Sequence, residues 1–549
     1  MSRDDATPPT VPDDGEPAAS QASPGDEEAD ADMGRGTTAF GNAVSWSFVL
    51  TSGRTFMTLV VSLVLARILG PEAFGLIAMA NVFILFAELF VRQGLVAAIV
   101  QRPKLTAAHL DTAFWMTVML AAVLVPVVIG ASGWWAAAND TPELAGLITA
   151  LVPLLVFKAL GVAQEAHIRR QMDFRALALR TNVAVLTGGA AGITAALLGA
   201  GVWSLVIQQL VTAFLELVLI WLLSSWRPRW RFRTDAARDL ISFAARMVLA
   251  ALGSFVNTQS DALLIGLFFG PLVVGLYRMA VRFISIMLEL TSGTLQLVML
   301  PELSRFSEDR SAFNARTVEV IRLASLIAVP VLGVLAASSD ALMGLLGEEW
   351  APAADALKVL CILAVVQAAA TFLAPILQAA GRPGLLAWLT WISAGLSAGS
   401  FAAAGLWLVG FDVAEQVLWL AIIRTAVFVP TLFLIVLPML NRALGLKPGR
   451  VIGAMWRAPI AAATGYAAFV LVRTAAGTSW PQLPLLDLLL SATVSGTIIL
   501  VVLLTIEPLV RQVPALIRER VARRSATRAD SSALPASETR PDAQVTTDT

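Results

Sequence analysis

Charge is scarce in this 549-residue chain, with Asp, Glu, Lys and Arg making up 14% of it, where soluble domains carry roughly a quarter. That shortage excludes an ordinary soluble globular protein. There is one cysteine, Cys361, so no intrachain disulfide can form. The only histidines, His109 and His167, lie 58 positions apart, which offers no metal site and leaves both as interfacial residues. A phosphate loop of the form GxxxxGK[ST] is missing, so ATP drive through that motif is unsupported. Period-two alternation is not prominent, which argues against an outer-membrane barrel. No cleavable signal stands out, because a long polar stretch precedes the first apolar segment.

What the chain has in quantity is apolar sequence, 57% of all residues. Apolar runs longer than the ~18 residues that a bilayer span requires recur along most of it. About fourteen such spans can be counted, which predicts an all-α polytopic membrane protein. The first twelve lie between residues 43 and 440, and a last pair covers 452–472 and 486–506.

The stretch Asn257 to Ala280, NTQSDALLIGLFFGPLVVGLYRMA, organises the rest. It is an apolar helix carrying Asp261, a Gly-Pro break, and a second helix. Two hundred positions earlier, ARILGPEAFGLIAMA (Ala66 to Ala80) matches GLFFGPLVVGLYRMA (Gly266 to Ala280) at six of fifteen positions. The matches include Gly70/Gly270, Pro71/Pro271 and Gly75/Gly275. Six spans separate the copies, and an even number preserves orientation, so the sequence predicts two parallel six-helix lobes with two further C-terminal helices outside the duplication.

Charge divides the connections into two sets. One is basic, with Arg102 and Lys104, the Arg169–Arg180 group, Arg227 to Arg233, Arg305 to Arg316, Arg382, and Arg442 to Arg450. The other is almost free of positive charge. By the positive-inside rule both termini are expected in the cytoplasm. Trp134, Trp135, Trp203, Trp350 and Trp480 then suit the outer interface, and Trp226 and Trp230 the inner one. Residues 1–36 hold ten acids against two arginines, the composition of a solvated tail. The expected divisions are a disordered acidic tail (1–40), an N-lobe (41–226), a basic linker (227–239), a C-lobe (240–440), the last helix pair (441–510) and a largely disordered tail (511–549).

The order of ARILGPEAFG, RRQMDFRALA (Arg169 to Ala178), NTQSDALLIG and GLYRMA resembles the polysaccharide-transport branch of the multidrug/oligosaccharidyl-lipid/polysaccharide flippase superfamily. The resemblance implies two lobes around a central cavity that opens alternately to each side. It also implies a polyprenyl-diphosphate-linked oligosaccharide as cargo, carried to the outer leaflet of a bacterial inner membrane, with no enzymatic step. Many relatives have a basic residue after the Asp of helix seven; here it is Ala262.

Polar residues already form stripes on the apolar helices. Helix one carries Ser47, Thr51, Arg54 and Thr58; helix two has Asn81, Glu88 and Arg92. Helix seven has Arg246, Ser254, Asn257 and Asp261, and helix eight has Arg278, Arg282, Ser285, Glu289 and Gln296. A charge at the bilayer centre costs at least ~2.5–3.5 kcal/mol, so these faces should meet protein or water. Arg54, Arg92, Arg246, Asn257, Arg278 and Arg282 are the candidates for cargo binding, since guanidinium forks suit a diphosphate. Glu88, Asp261 and Glu289 are candidates for ion coupling, with protons or sodium equally open. The structural alternative is that these charges pair with one another. Pro126, Pro153, Pro330, Pro375 and Pro430 are candidate kinks.

Competing functions are a cation-coupled multidrug exporter, which five candidate arginines disfavour, and a peptidoglycan-precursor (lipid II) flippase, which fourteen spans suit equally. A membrane polymerase or glycosyltransferase would need a larger catalytic loop. No cofactor or nucleic acid is expected. The expected partners are membrane lipids and, for a glycan exporter, the polysaccharide polymerase and export machinery.

Overall fold

The computed structural model describes residues 24–93, 99, 106–171, 173–306, 308–481 and 483–507, and every regular element among them is helical. Two elements are far longer than one span. Helix α1 runs Pro24–Glu88 and passes into a π-turn at Leu89–Gln93; helix α7 runs Thr234–Ser304. At 1.5 Å per residue, α1 would be about 100 Å long if straight, three times the ~30 Å apolar core of a bilayer.

Both are broken at the glycine that the duplication aligns. Gly70 has φ 74° and ψ 174°, and Gly270 has φ 78° and ψ −177°. A side chain is excluded from that region of backbone space. Pro71 and Pro271 follow, each at the start of a new arm, where a proline suits the first helical turn. The chain folds back at these points, since Asp261 and Arg278, on either side of Gly270, lie 2.8 Å apart. Among the described residues, twelve helices are long and apolar enough to span a membrane. Two of them, Gly53–Arg92 and Ala237–Gly293, are the glycine-broken pairs, and counting their arms separately recovers the fourteen spans expected.

The first lobe continues with α2 (Ala107–Ala138), α3 (Glu143–Leu151), α4 (Pro153–Arg170), α5 (Phe174–Leu197) and α6 (Trp203–Leu223). Pro153 divides one expected span into α3 and α4. The second lobe adds α8 (Arg310–Ala337), α9 (Ser339–Leu346), α10 (Pro352–Ala370), α11 (Leu373–Ala379), α12 (Pro383–Trp407), α13 (Val413–Thr431) and α14 (Leu437–Leu444). A π-turn at Leu432–Val436 follows Pro430, one of the candidate kinks. Carboxylate N-caps fix three helix starts: Asp173 accepts from the Ala176 amide, Asp309 from those of Ser311 and Ala312, and Asp412 from that of Ala414.

Between the lobes, the linker is held rather than free. Trp230 stacks on Trp115 with ring centroids 4.1 Å apart, and the Trp115 indole donates to the Arg229 carbonyl at 2.9 Å. The Arg229 amide donates to Asp111 at 3.0 Å and the Arg233 amide to Thr112 at 3.2 Å. These bonds tie the linker backbone to the start of α2 and leave the arginine side chains exposed.

One buried cluster crosses both lobes, joining Leu65 and Met79 to Tyr277, Trp350 and Leu357. Trp350 corrects one expectation. It is 1% exposed, and its indole donates to the Ala66 carbonyl at 3.1 Å, so it seals a lobe boundary instead of anchoring in headgroups. Trp135 and Trp480 are buried too, whereas Trp134, Trp203 and Trp230 are exposed. The first helix also begins earlier than expected. It starts at Pro24. Residues 1–23 and 508–549, which hold most of both expected tails, lie outside the described residues.

The last pair, α16 (Arg457–Ala476) and α17 (Pro484–Ile506), is preceded by α15 (Pro448–Met455) and packs on α8. Lipid supplies no hydrophobic drive between helices, so close fit and polar bonds do the holding. A Cβ on Gly465 would come 2.2 Å from Ile499, and one on Gly333 2.9 Å from Ala462. Both ends carry ion pairs. Glu507 meets Arg322 and, at 3.1 Å, Arg457; Arg473 meets Asp340 at 2.9 Å and Asp487 at 3.5 Å.

Candidate functional site

Arg54 lies sixteen positions before Gly70 and Arg92 twenty-two after it, and the fold-back at that glycine brings them to one cavity. The cavity opens between the lobes, with a volume of about 790 Å³. Its charged lining is six bases (Arg54, Arg92, Lys158, Arg169, Arg180, Arg282) and four acids (Glu88, Glu165, Glu216, Glu289). Two smaller chambers share its walls. One of about 450 Å³ includes Glu88, Arg92, Ser254, Thr258 and Gln259. The other, about 300 Å³, includes Asn81, Gln259, Arg278, Arg282 and Ser285.

Five of the nine candidate residues thus reach the main chamber: Arg54, Glu88, Arg92, Arg282 and Glu289. Arg282 also lines the smallest chamber. Among the described residues it has no carboxylate within ion-pair distance, and the same holds for Arg54 and Glu289. Arg278 lines the smallest chamber but is bound, donating to Asp261 at 2.8 Å and to Gln259 at 3.2 Å. Asp261 is 5% exposed, so the pairing alternative is the geometry found for these two. Asn257 is not part of these three chambers. Its main-chain carbonyl accepts from Ser397 at 3.5 Å and Arg424 at 3.4 Å. The side chain of Arg246 lies outside the described residues, as do those of Ser47 and Thr51.

The largest group of charges in the cavity is one the stripes did not indicate. Glu165 on α4 accepts from Arg92 at 3.1 Å and from Arg169 at 2.9 Å, and Arg180 lies 3.6 Å away. Glu216 on α6 accepts from Lys158 at 2.9 Å and from Arg180 at 3.3 Å. Arg92 also lies 4.0 Å from Glu88. Lys158, Glu165 and Glu216 interrupt otherwise apolar spans, and the energetic penalty on such charges is the signal that would have found them. In the second lobe, Arg424 is a further addition. It hydrogen-bonds Ser397 at 2.5 Å and stacks against Phe401 and Phe428 with centroids at 5.2 and 4.9 Å.

Chemically, a cavity of this volume with more bases than acids, two of its arginines without an ion pair among the described residues, suits an anionic head with several oxygens. Guanidinium forks bind phosphate oxygens in pairs, and low local dielectric strengthens the bonds.

Two lobes of glycine-broken helix pairs around such a cavity define a multi-pass membrane protein with the fold of MOP superfamily transporters. Its structure is similar to that of the lipid II flippase MurJ in an inward closed conformation, with a TM-score of 0.67 at 12% identity over 84% of this chain and 98% of that one. A multidrug resistance MATE family transporter of the MOP superfamily, in an inward-facing conformation, gives a TM-score of 0.51 at 14% identity over 77% and 95%. The chain belongs to the polysaccharide biosynthesis protein family, which it matches over residues 64–355. It is similar to the succinoglycan biosynthesis transport protein ExoT of Rhizobium meliloti (strain 1021), 25% identical over 389 residues covering 70% of this chain and 78% of that protein.

Proposed function

We propose that this chain is a flippase that moves a polyprenyl-diphosphate-linked oligosaccharide from the cytoplasmic to the outer leaflet of a bacterial inner membrane by alternating access, with both termini in the cytoplasm. The observation that carries this reading is the excess of basic over acidic side chains around the interlobe cavity, with Arg282 left unpaired at the junction of two chambers. A diphosphate answers that charge, and the chamber leaves room beside it for sugars. The prenyl tail stays outside, in lipid. The membership of a polysaccharide biosynthesis family and the likeness to a succinoglycan transport protein favour a glycan over a drug.

In this reading Arg54, Arg92 and Arg282 bind the head group, and the Arg278–Asp261 pair keeps the second lobe's hairpin in shape. Protons or sodium remain the candidate coupling ions, with Glu88 and Glu289 as the cavity carboxylates available to them.

A lipid II cargo is the second reading, favoured by the likeness to MurJ; it has the same diphosphate and differs in the sugar. Complementation separates working from idle sites. In a strain lacking its own copy, Arg92→Ala and Arg282→Ala abolish surface polysaccharide at normal protein level. Normal polysaccharide from both variants would overturn the reading.

A further inference from the structure

Three guanidiniums converge on Glu165, two more than its single charge requires. Arg169 and Arg180 hold it from its own α4 and from α5, while Arg92 reaches it at 3.1 Å from the π-turn that follows α1. The three differ in access. Arg180 is 9% exposed at its side chain, whereas Arg92 and Arg169 are 38% and 36% exposed; of these two, Arg92 alone also lines the second chamber, beside Ser254 and Gln259. It sits in the π-turn Leu89–Gln93, a local irregularity of the kind frequent at functional sites. Within the cluster, the Nε of Arg180 is buried without a hydrogen-bond partner, so the donors outnumber the acceptors.

We propose that Glu165 is the cavity's resident counter-anion: it occupies Arg92 while the chamber is empty, and a phosphate of the cargo takes its place. The inference rests on the diphosphate reading above and adds a positioning residue to it. The exchange is balanced in charge. When Arg92 turns to phosphate, Glu165 keeps Arg169 and Arg180, and Glu216 keeps Lys158, so no carboxylate is stranded in a low-dielectric interior. An uncharged or cationic solute gains nothing by displacing Glu165, so the contact also selects for anions. Removing a carboxylate that merely props up the fold would weaken binding or leave it unchanged. Removing one that competes with the ligand strengthens binding.

The test uses the full chain in lipid nanodiscs and inorganic pyrophosphate as the probe, with affinity measured by calorimetry at fixed ionic strength. Glu165→Gln binds pyrophosphate about tenfold tighter than the wild type, the scale of one charge-assisted hydrogen bond. Adding Arg92→Gln to it abolishes that gain. Glu165→Asp keeps the charge but withdraws the carboxylate from Arg92, and it gives a smaller gain in the same direction, so the test stands even where the Gln variant folds poorly. Binding to the wild type with no tightening in either variant overturns the counter-anion role and leaves the diphosphate reading intact. Absence of binding to the wild type and both variants overturns the two together.

Discussion

Gly75 and Gly275 meet across the lobe boundary, each pressed against the other copy's proline. A Cβ on Gly75 would lie 1.7 Å from the Pro271 carbonyl oxygen, and one on Gly275 would lie 1.9 Å from that of Pro71. The relationship is reciprocal, as a twofold axis between duplicated helices requires. It brings main chain against main chain at the end of the bundle that carries the Gly-Pro turns. At this end the lobes also join through Trp350 and Ala66, and through Arg67, which donates to the Leu345 carbonyl. The basic cavity lies further from these turns, so the structure is closed at one end.

Gly75→Leu should therefore prevent that closure. Spin labels at Glu72 and Leu272, both exposed beside the turns, in a Cys361→Ala background report the separation directly. The expected result is a longer and broader distance distribution than in the wild type, together with loss of export. An unchanged distribution would show that the contact can relax without parting the lobes.

The last helix pair should depend on Glu507, which is 1% exposed and meets two arginines that are each about a third exposed. Loss of the carboxylate leaves those arginines partly solvated, so the effect lies near the lower end for a broken buried pair, about 1–3 kcal/mol. Glu507→Gln is expected to lower the melting temperature in detergent and to speed proteolysis of α15 to α17 relative to the lobes. A melting curve and digestion pattern matching the wild type would remove this anchor from the account.

Asp261 and Arg278 should behave as a structural pair. Their double-mutant cycle, Asp261→Asn with Arg278→Gln, is expected to give a coupling on the order of 1–3 kcal/mol in stability, while Asp261→Asn retains whatever dependence on the ion gradient the wild type has. If vesicle transport by Asp261→Asn lost its gradient dependence at unchanged stability, Asp261 would belong to the coupling machinery instead.

The duplicated fold was legible because its punctuation is chemical. Gly70 and Gly270 adopt a backbone conformation closed to side chains, and Gly75 and Gly275 leave no room for one, so the repeat had to keep them. Arg54, Arg92 and Arg282 were legible as stripes, since charges at helical spacing have only the interior to face. Half of the cavity was not. Lys158, Glu165 and Arg169 fall at steps of seven and four on α4, the spacing of Asn81, Glu88 and Arg92, but this stripe was not singled out, and Glu216 stands singly in its apolar span. Arg169 and Arg180 pass for loop charges, yet the connection between α4 and α5 is only 171–173, so both sit on helices and face the chamber. Trp350 shows the same limit. Its composition suits a membrane interface, and only the packing of one lobe on the other reveals it as a buried seal.

The most direct measurement is translocation itself. Proteoliposomes carrying a polyprenyl-diphosphate-linked oligosaccharide in one leaflet, scored by the glycan's accessibility to an added glycosidase, compare the wild type with Arg282→Gln. The account predicts protein-dependent movement by the wild type and a rate at least about tenfold lower for the variant, as loss of a charge-assisted contact to phosphate requires. Equal rates for the two, or none above protein-free vesicles, would contradict it.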